Sequence, residues 1–202
     1  FYDIFRYQIL DTNSYIEEIW AYGYWAIDRC ARIIKEGTSF KEVTKGDLAE
    51  VEGCIAQAYA IKALCSFYLT NMFGLPYSEA NKTTLGIVNV TEPVPAYSQV
   101  SRVSVEQNYS LILDDITKAK EYYAKEGVEN VGKQYMNTAA VAALEARVKL
   151  YMKNYEGAIT AAQEAITLSG GTIVSTKEDY KNMYTTLAVS TEDIFFIAKA
   201  ED

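Results

Sequence analysis

A duplicated segment restricts the fold more than any other feature of this chain. Ala60-Ile61-Lys62-Ala63-Leu64-Cys65-Ser66-Phe67-Tyr68-Leu69-Thr70-Asn71 returns as Ala143-Leu144-Glu145-Ala146-Arg147-Val148-Lys149-Leu150-Tyr151-Met152-Lys153-Asn154. Two Ala, the Tyr and the Asn keep their places, and Ile61/Leu144, Cys65/Val148, Phe67/Leu150 and Leu69/Met152 stay apolar. Small residues at fixed offsets let helix backbones approach, and the bulky ones lock the stack. Helical-repeat proteins bury their cores in this way. The expectation is a mainly all-α chain of stacked helix hairpins, with the two copies in equivalent surroundings.

Charge and composition remove several function classes. The formal net charge is −8 and no stretch is basic. Nucleic-acid binding needs Lys and Arg to displace counterions from phosphates, so that class is set aside. Histidine is absent, which removes Ser-His-Asp triads, Cys-His pairs and His-based metal sites together. No calcium loop or phosphate-binding glycine loop is present, so no cofactor or metal is expected. Cys30, Cys54 and Cys65 each fall within an expected helix without CxxC spacing, and read as small hydrophobes. No apolar run is long enough to span a membrane. The start, Phe1-Tyr2-Asp3, is not that of a signal peptide, and the missing initiator Met suggests a processed chain or a fragment. The 17 tyrosines suit amphipathic helix faces, and a subset suits recognition of sugars or peptides.

Periodicity then places the elements. Ser14 with Glu17 reads as a capping box. Ile16, Trp20, Gly23, Ile27, Cys30 and Ile34 follow as one buried stripe, ended by Gly37. Tyr22 and Trp25 lie on a second face, continued by Arg29 and Arg32. A second helix opens at Asp47, with Glu50 in the matching position, and runs to about Phe73. Its stripe is Val51, Ile55, Ala58, Ile61 or Lys62, Cys65, Leu69 and Met72. Gly74 and Pro76 stop it. The helical period is lost over 75–103. That stretch is either a long functional loop or an ordered crossover packed on the helices, with a short strand at Gly86–Val90. Ser104 and Gln107 form another capping box, opening a helix that carries Tyr109, Ile112, Ile116 and Tyr123. Helices at 138–153 and 155–169 are joined so tightly that they must run antiparallel, and Gly170-Gly171 closes the pair. A short helix is expected at 176–185. Asp193-Ile194-Phe195-Phe196-Ile197-Ala198 reads as a strand, whose missing partners imply polypeptide beyond Asp202. The organisation expected is helix pairs over 14–73 and 104–169, a loop at 75–103, and the start of a further region at 171–202.

Ala146, Ala158 and Ala165 occupy the small-residue positions of a tetratricopeptide-like hairpin, with Lys149 standing where that repeat usually has an aromatic. The run Ala63-Leu64-Cys65-Ser66-Phe67-Tyr68-Leu69-Thr70-Asn71-Met72-Phe73-Gly74 resembles the long-helix segment of the SusD/RagB family. Gly86-Ile87-Val88-Asn89-Val90-Thr91-Glu92-Pro93 resembles its glycine–hydrophobic–Pro-Leu-Val-Thr-Glu stretch, departing at Asn89. Ser101-Arg102-Val103-Ser104-Val105-Glu106 resembles its Pro-Arg helix start, with Ser101 in place of the proline. Ala143 to Ala165 resembles its repeat-hairpin segment. Four segments stand in the expected order, and the resemblance as a whole covers roughly residues 14–198. The resemblance implies a non-catalytic nutrient-binding lipoprotein of the Bacteroidetes cell surface. It would be anchored in the outer membrane through a cysteine preceding Phe1, and would capture an oligosaccharide or peptide for a SusC-like TonB-dependent transporter. The helical portion would be the scaffold, and much of the variable ligand-binding half would follow Asp202.

Sugar recognition calls for aromatic platforms flanked by polar groups. Tyr22 and Trp25 on the first helix, and Tyr77 and Tyr97 in the long loop, are the candidate ligand-binding residues. Each has a plainer reading as a packing residue. The other function considered is a helical-repeat scaffold that docks a transporter or peptide without binding sugar. A hydrolase would need a carboxylate pair such as Asp114/Asp115 or Glu201/Asp202. Neighbouring helical residues point about 100° apart, so Asp114 and Asp115 read instead as a solvated face.

Overall fold

The computed structural model describes residues 5–6, 10, 12–43, 48–185 and 190–197. Among these lie α1 (Ser14–Val43), α2 (Ala49–Phe73), α3 (Val105–Tyr123), α4 (Thr138–Tyr151), α5 (Tyr155–Ser169) and α6 (Lys177–Thr185). The only pairing of extended backbone among the described residues is an isolated antiparallel bridge between Leu85 and Ser104. The chain is all-α.

α1 and α2, and α2 and α3, run antiparallel, as their cross-contacts show. On α1, Gly23 faces Leu69 and Gly37 faces Ile55 of α2. A Cβ at either glycine would stand 2.9 Å from those side chains, so glycine lets the two helices meet closely. From α2 to α3, Glu52 pairs with Lys125, Tyr59 stacks on Tyr122 at 5.9 Å, and Phe67 meets Tyr109 edge-on at 6.2 Å. Lys120 of α3 reaches Glu145 of α4 and Glu164 of α5. The α4–α5 turn leaves so little chain that a hairpin is forced.

The main core takes Ala56, Ala60, Ala63 and Phe67 from α2, Val105, Tyr109, Ile112 and Ile116 from α3, and Val141, Leu144 and Val148 from α4. A smaller cluster of Ile27, Ala31, Leu69, Ile87 and Val90 fastens α1 to the segment between α2 and α3.

Several expectations are corrected. The first helix is capped by Asn13, whose side chain accepts from the amides of Tyr15 and Ile16, and Ser14 lies inside the helix. Gly37 does not end α1, because the close contact with Ile55 offsets the roughly 1 kcal/mol that an interior glycine costs. Asp47 lies outside the described residues; α2 begins after Leu48 without a side-chain cap. The two copies of the repeat are both helical but sit differently. Ala60, Ala63 and Phe67 are buried, whereas Leu150, the counterpart of Phe67, is 52% exposed. The cause is position in the stack: α2 is packed by α1 and α3, whereas α4 presents an outer face. The expected strand at Asp193 is not formed over 193–197, with Ala198 outside the described residues. That stretch is irregular and is held by the Phe196 amide donating to Lys133 O. Asp115 is not on a solvated face, being 3% exposed beside Lys62.

Of the two readings of 75–103, the ordered crossover is the one found. No strand forms at Gly86–Val90. Instead the Gly86 amide donates to Val103 O and the Val103 amide to Ile87 O. The box at Ser104 forms as expected, with Ser104 Oγ accepting from the Gln107 amide and Gln107 Oε1 accepting from the Ser104 amide.

Candidate functional site

The crossover lies against one face of α1, and between them runs a cleft of about 360 Å³. Trp20, Tyr24, Trp25, Asp28 and Arg32 line it from α1, and Val88, Val90, Val94 and Val100 from the crossover. The helical period explains the first set. Trp20, Tyr24, Asp28 and Arg32 are four apart, and Trp25 lies beside that row.

Each wall is fixed. The Tyr24 hydroxyl donates to Val88 O at 3.1 Å and accepts from the Val88 amide at 2.8 Å. Burial pushes the Tyr24 phenol above its ordinary pKa, so it stays neutral and able to do both. Asn108 of α3 accepts from the Ile87 amide at 2.8 Å, and donates to Ile87 O at 3.2 Å and Asn89 Oδ1 at 2.6 Å. Trp20 packs edge-on against Phe73 at 4.8 Å, with the Arg102 guanidinium 4.9 Å from its ring centre. Arg102 also donates to Phe73 O and Gly86 O, tying the end of α2 to the crossover.

Trp25 is 58% exposed, as is Tyr22, and their rings meet edge-to-face at 5.2 Å. One turn on, Asp28 and Arg32 form an ion pair at 2.7 Å. The cleft therefore offers an aromatic surface, a carboxylate and a guanidinium with balanced charge, and an aliphatic valine wall. This combination takes a ligand with an apolar face and polar edges. The one carboxylate among the described lining residues, Asp28, is paired with Arg32. Among the described residues there is no group of His, Cys, Asp or Glu side chains that could hold a metal ion.

Of the four aromatic candidates, Tyr22 and Trp25 come together here. Tyr77 packs edge-on against Tyr109 at 5.0 Å, next to the main core. Tyr97 is fully exposed at a left-handed turn (φ 63°) and does not line the cleft. Sequence reasoning missed Asp28, Tyr24 and the crossover valines. An acid four residues before a base, Asp28 then Arg32, was the available signal. Trp20, read as core, faces the cleft as well. Glu201 and Asp202 lie outside the described residues.

The fold and the cleft define a class: a helical-hairpin protein with a small, partly aromatic cleft on its flank. A SusD-like family profile, described as starch-binding and associating with the outer membrane, matches residues 3–150. The chain belongs to the SusD-like family. A solved SusD superfamily protein from Bacteroides thetaiotaomicron is similar at 28% identity and a TM-score of 0.75, over 87% of this chain and 37% of that one. Another, from Bacteroides vulgatus, shares 24% identity at a TM-score of 0.79, over 91% of this chain and 41% of its own. A laminarin-binding SusD-like protein shares the fold at 20% identity and a TM-score of 0.63, over 83% of this chain and 34% of its own. This chain thus spans between 34% and 41% of the length of these three structures. No curated protein sequence matches it.

Proposed function

We propose that this chain is the helical portion of a non-catalytic glycan-binding protein of an outer-membrane nutrient-uptake system, and that sugar stacks on Trp25 in the α1–crossover cleft. The observation that carries this reading is the exposed Trp25 ring, buttressed by Tyr22 and standing one turn from the Asp28–Arg32 pair. A pyranose has an apolar face of C–H groups that suits an indole ring, and hydroxyls that can donate to a carboxylate and accept from a guanidinium. The family's description as starch-binding and outer-membrane-associated supports the substrate class and the location. Tyr77 serves in this reading as a pin for the crossover, and Tyr97 has no part in the cleft.

Calorimetric titration with malto-oligosaccharides tests the proposal. Heat of binding is expected for the wild type. Trp25→Ala should weaken affinity on the order of tenfold, about 1.4 kcal/mol, without lowering the melting temperature, because the ring is exposed. Equal affinity in wild type and Trp25→Ala would remove Trp25 from the site. Turnover of a polysaccharide by purified protein would overturn the non-catalytic reading. Asp114 and Asp115 offer no dyad, since Asp115 is committed to Lys62.

A second reading, a scaffold that docks a SusC-like TonB-dependent transporter, has its own support. Tyr155, Ile159 and Ile166 on the outer face of α5 are 59%, 63% and 61% exposed, at spacings that make one apolar stripe. Retention of a purified SusC-like transporter by immobilised chain, lost in Ile159→Glu/Ile166→Glu, is the expected result. The lipid anchor on a cysteine upstream of Phe1 belongs to the same proposal, and mass spectrometry of the membrane-extracted protein tests it.

A further inference from the structure

The crossover wall of the cleft is fastened at several points, and one of them comes from deep inside the molecule. Lys62 of α2 is 3% exposed. Its ammonium lies 3.0 Å from Asp115 Oδ1 of α3 and 3.2 Å from the carbonyl oxygen of Val90, a residue that lines the cleft. Asp115 is also 3% exposed, and its second oxygen, Oδ2, has no hydrogen-bond partner in the structure. Burying an ion pair seldom stabilises a fold more than a well-packed apolar pair would. An incompletely satisfied pair is a poorer choice still. Core stability therefore gives little reason for a lysine here, but its hydrogen bond to the Val90 carbonyl does. A buried ammonium held by a carboxylate is a fixed donor, and it is aimed at the cleft wall.

We propose that Lys62 is a positioning residue that, together with the Asp115 carboxylate, holds the Val90 side of the cleft in place, and that protonation of Asp115 releases this wall. The inference rests on the reading of the cleft as the binding site, but concerns the wall itself. A neutral carboxyl group holds an ammonium more weakly than a carboxylate does, so the donor loses its fixed direction when the proton arrives.

The surroundings isolate the event. Burial pushes the Asp115 carboxyl up to about 6, against the opposing pull of Lys62. Facing the pair are Cys30 from α1, with Cys65 of α2 beside it, Tyr59 from α2 and Asp114 from α3, while the crossover contributes the Val90 carbonyl. Burial pushes Cys30 up to about 12 and raises Cys65 and Tyr59 as well. Histidine, the usual source of a transition near neutrality, is absent from the chain.

The molecule carries its own reporters. It has two tryptophans, and both line the cleft, so tryptophan emission reads this site alone. The unliganded protein is titrated from about pH 8 to about pH 5, the range over which few ordinary side chains change charge, while emission and amide exchange at Ile87 and Val88 are followed. A transition with a midpoint of about 6 is expected in the wild type and its loss in Asp115→Asn. Lys62→Met should speed exchange at Ile87 and Val88 on the order of tenfold at the alkaline end, leaving α4 and α5 amides protected. A wild-type midpoint retained in Asp115→Asn, or crossover amides undisturbed in Lys62→Met, overturns the proposal. Should Lys62→Met fail to fold, Asp115→Asn decides alone. No sugar is needed for any of these readouts. A flat malto-oligosaccharide titration would thus sink the glycan reading while leaving this one standing.

Discussion

Asn108 sits on α3 with its side chain turned into the crossover, and three hydrogen bonds leave it for Ile87 and Asn89. It is 1% exposed, so removing it strands the Ile87 amide away from water, while the Ile87 carbonyl keeps the Val103 amide as its donor. Asn108→Ala should cost about 1–3 kcal/mol, the range for one buried polar group left unsatisfied, and urea denaturation measures it. Gly86→Ala acts on the same contact from the other side. A Cβ there would overlap Asn108 Oδ1 and stand 3.4 Å from the Val105 backbone. Overpacking of this kind costs about 1–3 kcal/mol. Neither role was legible in the sequence, because an asparagine on a helix reads as solvated unless its partner is known. Asn89, one of the positions where the chain departs from the pattern it resembles, supplies part of that partner. The exposure of Tyr22 and Trp25 could be read beforehand, because their face was left over once the apolar stripe of α1 had been assigned.

At the scale of elements, helix interiors were readable and their ends less so. The Ser104 box formed as its residues required, and Ser104→Ala should lower stability by about 1 kcal/mol, seen as a reduced melting temperature with unchanged helical content. At α1 two adjacent residues, Asn13 and Ser14, could each cap, and local sequence does not choose between them. The helix also ran through Gly37, where contact with Ile55 outweighs propensity. That contact joins different helices, so no window along the chain contains it. The apolar aromatic run from Asp193 has the composition of a strand, but no neighbouring strand pairs with it among the described residues. Composition alone cannot create the pairing. The repeat gave the correct architecture and a false equivalence. Sequence similarity conveys which residues favour a helix, while burial depends on how many neighbours the stack supplies.

For the whole molecule, the Lys62–Asp115 pair separates global stability from local order. Lys62→Met alone leaves a buried carboxylate without its cation and should cost about 3–5 kcal/mol, whereas Lys62→Met with Asp115→Leu should be nearly neutral. Chemical denaturation of the two variants checks this. The sign of the pH effect follows from the upward shift at Asp115. The folded state binds that proton more tightly than the unfolded chain, so the group's contribution is full below its ordinary value of 3.8 and is lost as pH rises through about 6. Melting temperatures across that interval should lose this slope in the double variant. Acid thus favours the fold through Asp115 even as it frees the crossover. The cleft joins the first helix to a segment some sixty residues later, and that segment is gripped by Asn108 on the helix beyond it. Loop closure over such a span is slow compared with winding a helix. A nascent chain therefore winds most of its helical structure before the two walls of the cleft meet, and the cleft is among the last features it acquires.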